Sequence, residues 1–225
     1  MLFVSEIGSN HKGIQALAYE MIRKSKEAGA DIVKFQLDRM PGRHDQIRNA
    51  PNDWMAFLIE SCEYYNIEFM ASIWSLRALN DARGCGMKRY KIAHQLKDLD
   101  LIREILSDRK ETFWSNPSPE DEAQMRNSGF DFHRLYCSEQ YPMYFRYRPD
   151  RYFHYGKDIN SVYGYSDHTC GIEACLLAIA QGAKYIEKHF TLDKTEGSIK
   201  DNAFSATPDE FAELVKVGRN LARLI

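Results

Sequence analysis

An eight-stranded parallel barrel wrapped by helices, the α/β class (β/α)8 TIM barrel in one compact domain over 1–225, is the architecture this sequence predicts. Three observations carry it. Short apolar segments of strand length alternate with longer stretches of helical periodicity along the chain. Eight such units in 225 residues leave about 28 residues each, near the compact end for this barrel. No glycine-rich dinucleotide fingerprint follows the first strand, which weighs against the alternative, an open doubly wound sheet.

The elements follow in order. Positions 2–7 form the first strand, and Gly8 and Asn10 supply its turn chemistry. Leu17, Met21 and Ala28 recur at helical spacing within 14–28, with Gly29 as the stop. Positions 31–36 are the second strand, 51–66 a helix opened by Pro51, and 67–72 the third strand. A helix over 76–85 precedes the strand 89–92, and a helix over 98–107 precedes the strand 111–115. Ser118 and Pro119 open a helix that runs to 127, followed by the sixth strand, 132–137. The seventh strand is 161–166, the next helix 171–181 and the eighth strand 184–189. Thr207 caps the last helix, with Pro208 in its first turn. Residues 141–160, rich in tyrosine and arginine, read as a loop over the barrel mouth in preference to a nucleic-acid surface.

Composition excludes several functions. Thirty Lys+Arg against 32 Asp+Glu give a net charge of −2, without the basic excess of a nucleic-acid binder. The longest apolar run, 174–180, is far short of the roughly 20 residues that span a bilayer. Glu6 interrupts the N-terminus before a signal-peptide core forms. Five cysteines without a CxxC pair read as reduced thiols, so the expected location is cytoplasmic.

In such barrels the chemistry lies at the C-terminal ends of the strands. That rule selects Glu6, Asn10 and His11 after strand 1, Lys34 and Gln36 on strand 2, Lys91 and His94 after strand 4, and Ser115 after strand 5. Cys137, Ser138 and Glu139 follow strand 6, Ser166 to Thr169 strand 7, and Glu187, Lys188 and His189 end strand 8. Closure brings strand 1 beside strand 8, so His168, His189 and Glu6 are expected to converge on one divalent cation. Two imidazoles and a carboxylate, direct or through water, suit Mn²⁺, Co²⁺ or Zn²⁺ better than Ca²⁺. Lys34 and Lys91 would bury ammonium groups, a cost that an anion offsets; with Ser115 and Ser166 they outline a phosphate or carboxylate pocket. Against this stands the bland alternative of snorkelling lysines and hydrogen-bonded core histidines.

The motifs EIGSNHKG (6–13), VKFQ (33–36), YKI (90–92), CSEQYP (137–142), GYSDHTCG (164–171) and EKHFT (187–191) resemble those of the sialic acid synthase family. That family includes N-acetylneuraminate, legionaminate and pseudaminate synthases and a spore-coat polysaccharide relative. The resemblance implies condensation of phosphoenolpyruvate with an N-acyl hexosamine or related aldose, giving a nonulosonic acid and phosphate. It implies a divalent metal, Mn²⁺ foremost with Mg²⁺ or Co²⁺ as alternatives, on His168 and His189, with Glu6 acting through water. It places phosphoenolpyruvate on Lys34, Ser72, Lys91, Ser115 and Ser166, and the sugar near Gln36, Tyr141 and Asp201. Glu6, Lys34, Lys91, His168 and His189 are thereby the expected catalytic set.

The departures from that pattern are specific. After strand 4 the family usually reads KIGSGE; here KIAHQL puts His94 at the serine that contacts phosphoenolpyruvate and Leu96 at the glutamate beside the sugar. His94, about four strands from His168, reads as a phosphate donor and not as a third ligand. Glu139 stands where the family often has asparagine. The chain ends at Ile225, so the expectation is a barrel without the family's antifreeze-like C-terminal domain, its missing arginine supplied by Arg146, Arg148 or Arg151. The expected partners are small-molecule substrates, with a homodimer or a separate lid protein as the macromolecular alternatives and neither nucleic acid nor membrane. Two competing functions are a catalytically degenerate barrel with a regulatory role and, more weakly, a metal-dependent hydrolase.

Overall fold

The computed structural model of the protein describes residues 1–37, 54–137, 162–195 and 200–225. The strands β1 (Leu2–Gly8), β2 (Ile32–Leu37), β3 (Glu68–Ile73), β4 (Arg89–Ile92), β5 (Glu111–Ser115), β6 (His133–Cys137), β7 (Gly164–Asp167) and β8 (Tyr185–His189) close in chain order into one parallel barrel. Helices α1 (Gln15–Glu27), α2 (Met55–Tyr64), α3 (Leu76–Gly84), α4 (Leu99–Ser107), α5 (Pro119–Asn127), α6 (Glu173–Ala180) and α7 (Pro208–Leu221) lie between and after them. The expected barrel is therefore the observed one. Among the described residues no helix is long and apolar enough to cross a membrane, and none of the five cysteines is in a disulfide.

Local chemistry explains the boundaries. Ser75, Asp98, Ser118 and Thr207 each accept hydrogen bonds from backbone N–H groups in the first turn of α3, α4, α5 and α7, worth about 1 kcal/mol apiece. Glu210 returns a bond to the Thr207 N–H and completes a capping box. Three boundaries differ from the expected ones. Helix α2 is described from Met55, and Pro51 lies outside the described residues. Strand β7 begins at Gly164 and continues to Asp167, which pairs with Lys188 of β8. Helix α6 starts at Glu173 because the Thr169 N–H and hydroxyl bond Asp167 and hold the preceding residues in a turn. The 3-10 turn Lys200–Phe204 has no counterpart among the expected elements.

Alternation along the strands sorts the side chains into two cores. Outward residues such as Phe3, Phe35, Ala71, Tyr90, Trp114 and Ile186 pack against the helices. Inside the barrel, Val4, Ile32, Met70, Phe113, Leu135 and Tyr185 form a separate apolar plug at the N-terminal end. Inward positions one pleat further along are polar: Glu6, Lys34, Ser72, Lys91, Ser115, Ser166 and Glu187 are all buried. The plug seals one end of the barrel, and the charged layer rests on it.

Gly164 makes that stacking possible. A Cβ there would lie 2.3 Å from the Tyr185 carbonyl oxygen and 2.6 Å from the Tyr185 Cβ. Backbone cannot yield as a flexible side chain can, so Gly164→Ala is expected to destabilise the barrel by about 3 kcal/mol. A urea unfolding midpoint that matched the wild type would contradict this.

Candidate active site

The register carries the charged layer across adjacent strands. Glu6 lies opposite both Lys34 and His189, Ser72 opposite Lys91, and Ser166 opposite Glu187. Lys34 contacts Glu6 and donates to the Ser72 hydroxyl at 3.0 Å. Lys91 donates to the Ser115 hydroxyl at 2.7 Å. Glu187 lies between the two ammonium groups, 3.6 Å from Lys34 and 4.0 Å from Lys91. It also accepts bonds from Ser166 at 2.9 Å and Tyr185 at 2.5 Å. The structure thus brings together Lys34, Ser72, Lys91, Ser115 and Ser166, and it adds Glu187, to which the sequence pattern assigns no role.

The electrostatics of this layer are uneven. Burial opposes ionisation of Glu187, yet Lys34 and Lys91 hold its carboxyl well below the usual carboxylate range. Burial also works against the Lys34 ammonium, but Glu187 and Glu6 outweigh it and raise its pKa. Lys91 is the under-compensated cation: burial, with repulsion from Lys34, pulls its pKa down against the attraction of Glu187. Desolvation pushes Glu6 up to about 7, with Lys34 opposing. An anion arriving beside Lys91 and Ser115 would supply the charge that the protein itself leaves incomplete.

The two histidines stand at the C-terminal rim, with ring centroids 5.3 Å apart. Phe204, from the 3-10 turn, packs edge-on against both, at 5.7 and 5.2 Å. His189 is neutral: burial lowers its pKa to about 3, and its buried Nδ1 has no hydrogen-bond partner among the described residues. A neutral imidazole with an orphaned nitrogen beside a second imidazole is a donor set that fits a borderline divalent cation. Glu6 stands beside His189 in register, but not as a direct third ligand. Glu6 is turned to Lys34 and accepts from Gln36 at 3.3 Å, and among the described residues no three His, Cys, Asp or Glu side chains gather as a metal cluster. Gly8 maintains the close approach. At φ +54°, its absent Cβ would lie 3.1 Å from Glu6 Oε1 and 3.3 Å from His189 Cε1.

The remaining expectations sort themselves by place. His94 is not remote from His168: its Nδ1 lies 3.7 Å from Cys137 Sγ, which is 4.0 Å from His168 Nδ1. Separation along a sheet is not separation across a barrel mouth. Leu96 is buried in the core between barrel and helices. Asp201 accepts from Ser9 at 3.4 Å, which ties the 3-10 turn to the loop after β1. Ser138, Glu139, Tyr141, the 141–160 loop and Arg146, Arg148 and Arg151 lie outside the described residues.

His11 answers to structure and not to the site. It is fully buried against Trp54 and Phe35, its Nδ1 accepts from the Gly13 N–H at 3.1 Å, and burial lowers its pKa to about 4. An unfolded histidine titrates near 6.5. The stability due to neutral His11 is therefore complete above that pH and falls as acid approaches pH 4, by about 3 kcal/mol in all. His11→Phe is expected to flatten the loss of unfolding free energy between pH 7 and 4.5; an unchanged slope would contradict this account.

The structure therefore shows a closed parallel barrel with a buried lysine pair in its interior and a histidine pair above it at the C-terminal rim. Residues 43–225 match the NeuB family, and the chain belongs to it. The chain is 29% identical to the N,N'-diacetyllegionaminic acid synthase of Campylobacter jejuni, over 95% of this chain and 74% of that protein. It is 28% identical to the N-acetylneuraminate-9-phosphate synthase of Homo sapiens, over 99% of this chain and 70% of that protein. Among solved structures, an N-acetylneuraminic acid synthetase from Leptospira borgpetersenii superposes with a TM-score of 0.83 at 26% identity, covering 99% of this chain and 84% of that one. A DAHP synthase from Thermotoga maritima shares the fold alone, at a TM-score of 0.72 and 14% identity.

Proposed function

We propose that the protein condenses phosphoenolpyruvate with an open-chain N-acyl hexosamine or related aldose, releasing phosphate and forming a nonulosonic acid. The observation that carries this is the pairing of two buried lysines, each bonded to a buried serine, with a histidine pair at the same barrel end. Membership of the NeuB family supports it. Lys91 with Ser115, and Lys34 with Ser72, would bind the phosphate and carboxylate and hold the enol in line with the aldehyde. C3 of phosphoenolpyruvate forms the new bond to the aldehyde carbon, water adds to C2, and phosphate leaves. His94, beside Cys137, would donate to the phosphate, and Gln36 and Asp201 would face the sugar. Glu6 would hold or move the proton of the water near the histidines. His168 and His189 would hold a divalent cation, Mn²⁺ foremost, which as a Lewis acid polarises the aldehyde oxygen. The substrates are the only partners this reading requires.

The test is mass spectrometry of the product formed from phosphoenolpyruvate, Mn²⁺ and a panel of N-acyl hexosamines and aldoses. A product with the mass of acceptor plus pyruvate is expected for one acceptor class. A second reading, binding without turnover, is favoured by Leu96, whose buried side chain brings no carboxylate to the mouth. Phosphoenolpyruvate that binds but yields no product with any acceptor would establish that reading instead.

A further inference from the structure

Immediately behind the two histidines, on the outer face of the barrel wall, lies a buried ion pair that the proposed reaction does not use. Asp167 precedes His168, Lys188 precedes His189, and the two residues are register partners on β7 and β8. Alternation turns the histidines inward and this pair outward. Lys188 Nζ lies 2.5 Å from Asp167 Oδ2, with both side chains at most 1% exposed. Lys188 also donates to the Thr169 carbonyl oxygen. Asp167 accepts from Tyr165 Oη at 2.7 Å, from Thr169 N–H at 3.0 Å and from Thr169 Oγ1 at 3.1 Å. His168 is thus flanked on both sides by residues bound into a single network, and that network is anchored on the residue before His189.

A buried ion pair is a poor way to gain stability, because desolvating both charges offsets most of their attraction. What this one secures is geometry: it fixes the ends of two neighbouring strands and the turn after His168 against each other. We infer that Asp167 and Lys188 are positioning residues that set the spacing and orientation of the His168–His189 pair for a divalent cation. The inference rests on the reading of those histidines as cation ligands. Neither residue touches substrate; each acts through the backbone it holds.

The experiment is Mn²⁺ affinity of the full chain, measured by the loss of the free-ion electron paramagnetic resonance signal. It compares the wild type, Lys188→Met, Asp167→Asn, and Phe211→Leu as a control of lowered stability, since Phe211 is a fully buried core residue of α7. Lys188→Met is expected to weaken Mn²⁺ binding about 10- to 100-fold, the range in which supporting partners of metal ligands act. Phe211→Leu should keep wild-type affinity despite its lower melting temperature. Should Lys188→Met not fold, Asp167→Asn, which keeps the shape of the side chain and one acceptor oxygen while removing the charge, carries the same expectation. Wild-type affinity in the folded pair variants, or an equal loss in Phe211→Leu, would overturn the positioning role. Absence of Mn²⁺ binding by the wild type would instead overturn the ligand reading on which it rests.

Discussion

Lys91→Met is expected to lower kcat/KM for phosphoenolpyruvate by about 10²- to 10³-fold while leaving the fold nearly as stable as before. The two buried lysines differ in what surrounds them. Lys34 is held by Glu6 on one side and Glu187 on the other, so removing it strands Glu6 in a dry interior and takes from Glu187 the nearer of its two cations. That loss is of the order of 3–5 kcal/mol, and any effect on activity is confounded with unfolding. Among the described residues Lys91 has only the Ser115 hydroxyl at 2.7 Å and Glu187 at 4.0 Å as bonded and ion-pair partners, and burial already depresses its pKa. Methionine fills a similar volume without a charge, and Glu187 keeps Lys34, Ser166 and Tyr185 as partners. Activity and stability should therefore separate at Lys91 and fall together at Lys34. Steady-state kinetics paired with urea unfolding of both variants checks this; a Lys91→Met enzyme with wild-type kcat/KM would remove the anion pocket from the account.

His189→Leu is expected to abolish Mn²⁺ binding, a loss of about 10²-fold or more, and to leave the melting temperature unchanged or raised. His189 lies buried as a neutral ring with Nδ1 unsatisfied among the described residues. An orphaned buried polar atom costs about 1–3 kcal/mol. Leucine removes that penalty and still packs against Phe204, now edge-on to the imidazole. His11 Nε2 is likewise unpartnered among the described residues, so metal affinity, and not the orphaned nitrogen alone, separates a binding role from a packing role. Calorimetric titration with Mn²⁺, alongside a thermal melt, reads both effects; a leucine variant that loses stability and keeps its metal would show that the histidine serves packing.

Much of the barrel and its mouth is legible in the sequence, and for a definite reason. Period-two alternation fixes which residues of a strand share a face, so Lys34 with Gln36, and Glu187 with His189, can be placed at the mouth from spacing alone. The capping signals at Ser118, Thr207 and Pro208 are local chemistry and appear as read. What spacing does not encode is which inward group pairs with which across the barrel. Glu187 stands among the strand ends, but its place between Lys34 and Lys91 follows from closure and shear, not from its neighbours in the chain. The same holds for Cys137, which lies between His94 and His168 from other strands. Phe204 escapes notice because it belongs to a five-residue 3-10 turn with no periodic pattern of its own. Tyr185 reads as one more apolar strand residue until its hydroxyl is seen on Glu187.

In the proposed condensation the lysine pair and the histidine pair act together, and phosphate release from phosphoenolpyruvate reports on both at once. The assay runs with Mn²⁺ or with EDTA, each with and without members of an acceptor panel. Release is expected only when metal and one class of acceptor are both present, and is expected to be lost in Lys91→Met and in His189→Leu alike. Release that proceeds equally without acceptor, or without metal, would contradict the proposed condensation.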